Sequence, residues 1–137
     1  MNVQDSDFYK ELLEVFILEG QEHIDTMKRC LKELEQKNES DDSKEIYEEI
    51  KRAAHSLKGA ARTVGFENLE AVGYGFEKLF GRMGGSALVV SEEIARNLRT
   101  AIDELDKMIT ALKENGKESG DNHEVLGLIE KVENIIS

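Results

Sequence analysis

The chain has 137 residues, enough for one domain, and 39% of them are hydrophobic, enough to fill a core. A net charge of −11 argues against nucleic acid and anionic membrane surfaces as partners, and a single cysteine excludes an intramolecular disulfide and a cysteine-built metal site. Proline and tryptophan are absent while Ala, Leu, Glu and Lys are plentiful, which favours an all-α fold.

The opening MNVQDSDFYKELLEVF has no basic region ahead of an apolar core, so it does not read as a signal peptide. No apolar run approaches the ~20 residues of a membrane span. The expected compartment is the cytoplasm. Asp5 or Ser6 can cap a first helix running to about Lys37. Phe8, Leu12, Val15, Phe16, Met27, Leu31 and Leu34 mark its apolar face, with His23 and Cys30 on the same face as half-buried packing residues. Asn38 to Ser43 is a polar linker, and Asp42 with Glu45 suits a capping box for the next helix.

The second helix, from Glu45 to Gly65, carries the chemistry. At 100° per residue, Ile46, Ile50, Ala53, Ala54, Leu57, Ala60, Ala61 and Val64 form one apolar sector. His55 falls nearly opposite its centre and is expected to face water. Lys51, Lys58 and Arg62 share its polar face, with Arg52 at the edge, and no acid occurs between Lys51 and Gly65. Gly59 stands one turn after His55, and Gly65 suits a helix C-terminus.

A third helix is expected from about Glu67 to Arg82, with a core stripe of Leu69, Val72, Phe76, Leu79, Phe80 and Met83. Tyr74 and Glu77 lie beside that stripe, placed to reach a neighbouring helix. Gly73, Gly75 and Gly81 each weaken the helix by up to about 1 kcal/mol relative to alanine. Close packing and clearance beside the histidine both explain them. Gly84 to Val90 reads as a loop with an apolar tail tucked under the bundle. Ser91 caps a fourth helix to about Glu114, whose stripe runs from Ile94 to Leu112, and Asn115 to Asp121 breaks it. A fifth helix carries Val125, Leu126, Ile129, Val132, Ile135 and Ile136. Short connections predict an up-down-up-down four-helix bundle with an additional C-terminal fifth helix, residues 1–137 forming a single domain.

An exposed imidazole among cations, beside a gap in the side-chain surface, suits a phosphate acceptor. A phosphoryl group carries about −1.5 to −2 charges near neutral pH. At ~8 Å in water-like dielectric each cation contributes about 0.5 kcal/mol per unit charge, so three or four contribute about 2 kcal/mol or more. A histidine with a reference pKa near 6.5 offers a neutral, nucleophilic nitrogen. A carboxylate on the other ring nitrogen would fix its tautomer, and Glu77 is the candidate.

The stretch AAHSLKGAARTVGF (Ala53 to Phe66) resembles the signature of the histidine phosphotransfer (HPt) family, with the histidine, the lysine–glycine pair and the later glycine in place. The likeness extends to SDFYKELLEVFILEGQEHI (Ser6 to Ile24), the Glu-bearing third helix and the run SEEIARNL. The whole is most similar to the N-terminal phosphotransfer domain of chemotaxis histidine kinases of the CheA type. That resemblance implies a monomeric phosphocarrier with no cofactor of its own, part of a protein histidine kinase. ATP and Mg would sit on a partner kinase domain, and the phosphoryl group would pass to an aspartate of a response-regulator receiver domain. It implies His55 as phosphoacceptor, Lys58 as helper to the phosphoryl group, Gly59 as access and Glu77 as hydrogen-bond partner of the imidazole. Arg62 belongs to the surrounding basic patch. Tyr74 stands where that subfamily has a second histidine; a phenol hydrogen-bonds but does not titrate near neutrality.

Two other classes compete. Carboxylate-bridged metal bundles use Glu-x-x-His pairs, but Gly20, Arg52 and Gly120 precede the three histidines by three. No GxxxxGK[ST] loop is present for ATP hydrolysis. A non-catalytic helical adaptor remains, in which His55→Gln would change no activity.

Overall fold

The computed structural model describes residues 6–39, 41–86, 88–118 and 120–137. Five α-helices and no strand occur among them: α1 (Asp7–Glu35), α2 (Lys44–Val64), α3 (Glu67–Gly85), α4 (Glu92–Asn115) and α5 (His123–Ile136).

Local chemistry sets several of the ends. Ser6 and Ser91 accept from Tyr9 N and Ile94 N, capping α1 and α4. Asp5, the alternative cap of α1, lies outside the described residues. Gly65 and Gly116 take left-handed φ of 89° and 71° after α2 and α4, a conformation that costs glycine little. The capping box expected of Asp42 and Glu45 gives way to a shorter motif. Ser43 is the N-cap, and the Asp42 carboxylate accepts from Lys44 N at 3.0 Å. Helix α3 runs three residues past its expected end, because Gly84 packs its backbone against Tyr47 and tertiary contact outweighs weak propensity.

Cross-helix contacts give the direction of each helix. Phe16 meets Phe66 edge-on, and Arg29 pairs with Glu49, so α1 and α2 are antiparallel. Arg62–Glu70 and His55–Glu77 make α2 and α3 antiparallel. Tyr9 donates to Gly116 O at 2.7 Å, and Arg99 pairs with Glu35, so α1 and α4 also run oppositely. The expected up-down-up-down order holds. Helix α5 runs parallel to α3, tied by Asn122–Asn68 at one end and Arg82–Glu133 near the other. It packs on α4 and on Gly75 of α3, burying Val125, Ile129 and Val132. It thus closes the seam between α3 and α4, which approach each other directly at few points.

The core takes one cluster from all five helices, with Phe16, Phe76, Phe80, Met27 and Leu57 among its buried members. Each such large side chain contributes about 1.5–3 kcal/mol on burial. Tyr47, outside the expected stripe of α2, is buried; its hydroxyl donates to Leu88 O at 2.7 Å, and burial pushes the phenol up to about 12. That bond fastens the α3–α4 connection, where Leu88 and Val90 pack against the core.

The apolar face of α1 is corrected. Phe8 and Val15 are exposed, together with Leu18, at 69%, 52% and 63%, whereas Tyr9, Ile17 and Ile24 are buried. The N-terminal half of α1 is apolar around most of its circumference. Two neighbouring helices cover only one side of it, and the rest stays uncovered.

Candidate functional site

His55 projects from the middle of α2 with 61% of its side chain exposed, as its position opposite the apolar sector requires. Across the seam, Glu77 of α3 lies 84% buried. Its Oε2 is 2.6 Å from His55 Nδ1, and its Oε1 accepts from Lys58 Nζ at 2.7 Å. One carboxylate therefore bridges the ring and the ammonium.

Burial raises the Glu77 carboxyl, but the bonds from Lys58 and then His55 outweigh it and hold the group below the usual carboxylate range. The carboxylate is ionised at neutral pH and can only accept. Nδ1 of His55 is then the protonated nitrogen, and in the neutral ring Nε2 carries the lone pair. Nε2 has no hydrogen-bond partner among the described residues.

The basic patch is less free than α2 alone suggests. Arg62 Nε donates to Glu70 Oε2 at 2.8 Å, and Lys58 is held by Glu77. Both acids come from α3, so the field at His55 is smaller than four unpaired cations would give. Glu70 had a signal in the sequence: it precedes Glu77 by seven residues, as His55 precedes Arg62. Antiparallel helices match those two spacings.

Tyr74 is half exposed and works through its ring. Lys58 Nζ and Lys78 Nζ lie 5.4 and 4.8 Å from the ring centroid, and its hydroxyl has no hydrogen bond among the described residues. Lys78 was not singled out by sequence.

The glycines separate into two kinds. Gly59 is exposed, and a Cβ there would meet nothing within 4 Å. Packing does not require glycine there. Gly73 is buried against the Lys58 backbone. On the α1 side, Glu19, Glu22 and His23 share an open depression with His55, Gly59 and Thr63. No cluster of metal-ligating side chains occurs among the described residues. No helix among them is long and apolar enough to cross a membrane.

The bond at Nδ1 leaves Nε2 of His55 as the ring nitrogen that faces outward from the bundle. A model of the Hpt domain family matches residues 11–115. Among curated relatives, Chemotaxis protein CheA of Halobacterium salinarum is 29% identical over 126 residues, covering 92% of this chain and 18% of the relative. Chemotaxis protein CheA of Bacillus subtilis is 30% identical over 115 residues, covering 84% of this chain and 17% of the relative. That of Listeria monocytogenes is 26% identical over 110 residues, covering 80% and 17%. The chain thus spans less than a fifth of the length of these relatives. No solved structure matches significantly. With the family model covering most of the helical bundle, the chain belongs to the Hpt domain family.

Proposed function

We propose that this chain is the phosphocarrier of a chemotaxis-type phosphorelay, and that His55 accepts a phosphoryl group from an ATP-dependent histidine kinase domain. Nε2 attacks the γ-phosphorus of ATP held with Mg by that partner. The N–P bond forms as the bond to the β-phosphate oxygen breaks, and ADP leaves. Nε2 bears no proton in this tautomer, so none has to depart. The Nδ1 proton stays on its hydrogen bond to Glu77, which offsets the positive charge developing on the ring. An aspartate carboxylate of a response-regulator receiver domain then attacks phosphorus. The N–P bond breaks, and neutral imidazole returns.

The observation that carries this reading is the exposed His55 with Nδ1 bonded to an ionised carboxylate. Lys58 is the helper cation, within reach of the phosphoryl group once it exchanges Glu77 for it. Gly59 leaves the approach open, and Arg62 and Tyr74 order the surrounding charges. The exposed stripe of Phe8, Val15 and Leu18 leads along α1 toward Glu19 and Glu22 at the rim of His55, an apolar surface suited to a receiver partner. The names of the relatives supply the chemotaxis assignment. We place the domain in the cytoplasm, as a monomer without a cofactor of its own.

The test is labelling by a CheA-type kinase domain with γ-labelled ATP. Wild type acquires acid-labile, base-stable label and releases it to a receiver domain. His55→Gln acquires none yet melts as wild type, because the residue is exposed. Acid-stable label on serine or threonine, or equal labelling of His55→Gln, overturns the proposal. Unlabelled wild type with an active donor favours the adaptor reading instead.

A further inference from the structure

Gly73 lies at a close approach of α3 to α2. A Cβ there would stand 2.9 Å from Lys58 N and 3.0 Å from Lys58 Cα and Cβ. These are backbone atoms and the root of a side chain, inside a helix, so no rotamer change relieves the overlap. Ordinary carbon contacts need about 3.5–4.0 Å, so any side chain at 73 moves the two helices apart by roughly 0.5–1 Å.

Glu77 is one turn further along the same face of α3. Its bonds to His55 and Lys58, 2.6 and 2.7 Å, lie at the short end of the normal range. The same displacement carries them to or beyond about 3.2 Å, where such bonds weaken. We infer that Gly73 is a positioning residue: by bringing α3 against the Lys58 backbone, it lets Glu77 hold Nδ1 of His55 and so leaves Nε2 as the free nucleophile. The consequence for transfer rests on the reading of His55 as phosphoacceptor; the effect on the ring does not.

Other glycines on the seam provide the contrast. Gly84 is two turns past Glu77, and a Cβ there would stand 2.8 Å from Tyr47 Cβ. Gly84→Ala strains the same pair of helices away from the histidine. Gly81 faces only the Lys51 side chain, at 3.6 Å.

The experiment reads the imidazole nitrogens of His55 by 15N NMR at a pH where the ring is neutral, assigned by loss of the signals in His55→Gln. Wild type and Gly84→Ala show Nδ1 protonated. Gly73→Ala shifts His55 toward the Nε2-protonated form, and its phosphorylation by the kinase domain falls roughly tenfold. Gly73→Ala combined with Glu77→Gln is no slower than the slower single variant. If Gly73→Ala folds poorly, the comparison is repeated with Gly127→Ala in every variant. That exposed α5 glycine has nothing within 4 Å of a Cβ, and alanine there strengthens the helix. An unchanged tautomer in Gly73→Ala, or rate losses that multiply in the double variant, overturns the inference. Failure of wild type to be labelled would overturn the phosphocarrier reading while leaving the tautomer comparison intact.

Discussion

Replacing Glu77 by alanine removes the group that fixes the tautomer of His55. A hydrogen bond to a charged partner contributes about 1.5–3 kcal/mol. The His55 side chain is 61% exposed, so water competes for Nδ1 and the lower end applies. About 1.5 kcal/mol corresponds to a roughly tenfold slower phosphorylation. Glu77→Gln keeps an acceptor but loses the charge, and it should fall between the alanine variant and wild type. The assay is single-turnover labelling at saturating kinase domain, so that a loss appears in the rate constant rather than in the affinity for the donor. An alanine variant within twofold of wild type would remove Glu77 from the reaction. A loss as complete as that of His55→Gln would refute the view that the carboxylate orients the ring rather than reacts. A pH series adds a second check. The Glu77 carboxyl is held below its usual range in the folded state, so its stabilising contribution is complete above about pH 4.3 and fades as pH falls through the lowered folded value. The stability difference between wild type and Glu77→Gln should therefore be constant near neutrality and vanish in acid.

Lys58→Ala should slow phosphoryl transfer more at low ionic strength than at high, since screening already weakens the cation in salt; a salt-independent loss would argue against a charge role. Gly59→Ala should stabilise α2 by about 0.5–1 kcal/mol, because nothing within 4 Å opposes a Cβ, while slowing transfer; a thermal melt and a labelling assay on the same sample decide it. Glu118→Ala should cost about 1 kcal/mol, or roughly 3–4 °C in Tm for a chain of this length, because that carboxylate accepts from Asn68 N and Leu69 N at 3.3 and 2.9 Å and α3 has no side-chain cap of its own. The Cys30 thiol is fully buried, and burial with the Glu49 charge pushes it up to about 12, so alkylation should proceed only on unfolding.

The periodicity of α2 sufficed to turn His55 outward, because a helix assigns each residue an azimuth and the apolar sector can face only the core. Capping preference placed the start of α1 at Asp5 or Ser6 and of α4 at Ser91, while the azimuthal reasoning located Glu77 beside the stripe of α3. It went astray on the N-terminal half of α1, where apolar residues surround the helix and only the neighbours decide which side is covered. It overstated the charge around His55, because Glu70 and Glu77 come from another helix and partner Arg62 and Lys58 across the seam. Capping of α3 by Glu118 was equally hidden, since it joins residues about fifty positions apart. The two kinds of glycine were indistinguishable along the chain. Distances between helices, set by tertiary packing rather than by residue order, show Gly59 to be open surface and Gly73 to be a close contact with the Lys58 backbone, one turn from the carboxylate that meets the histidine.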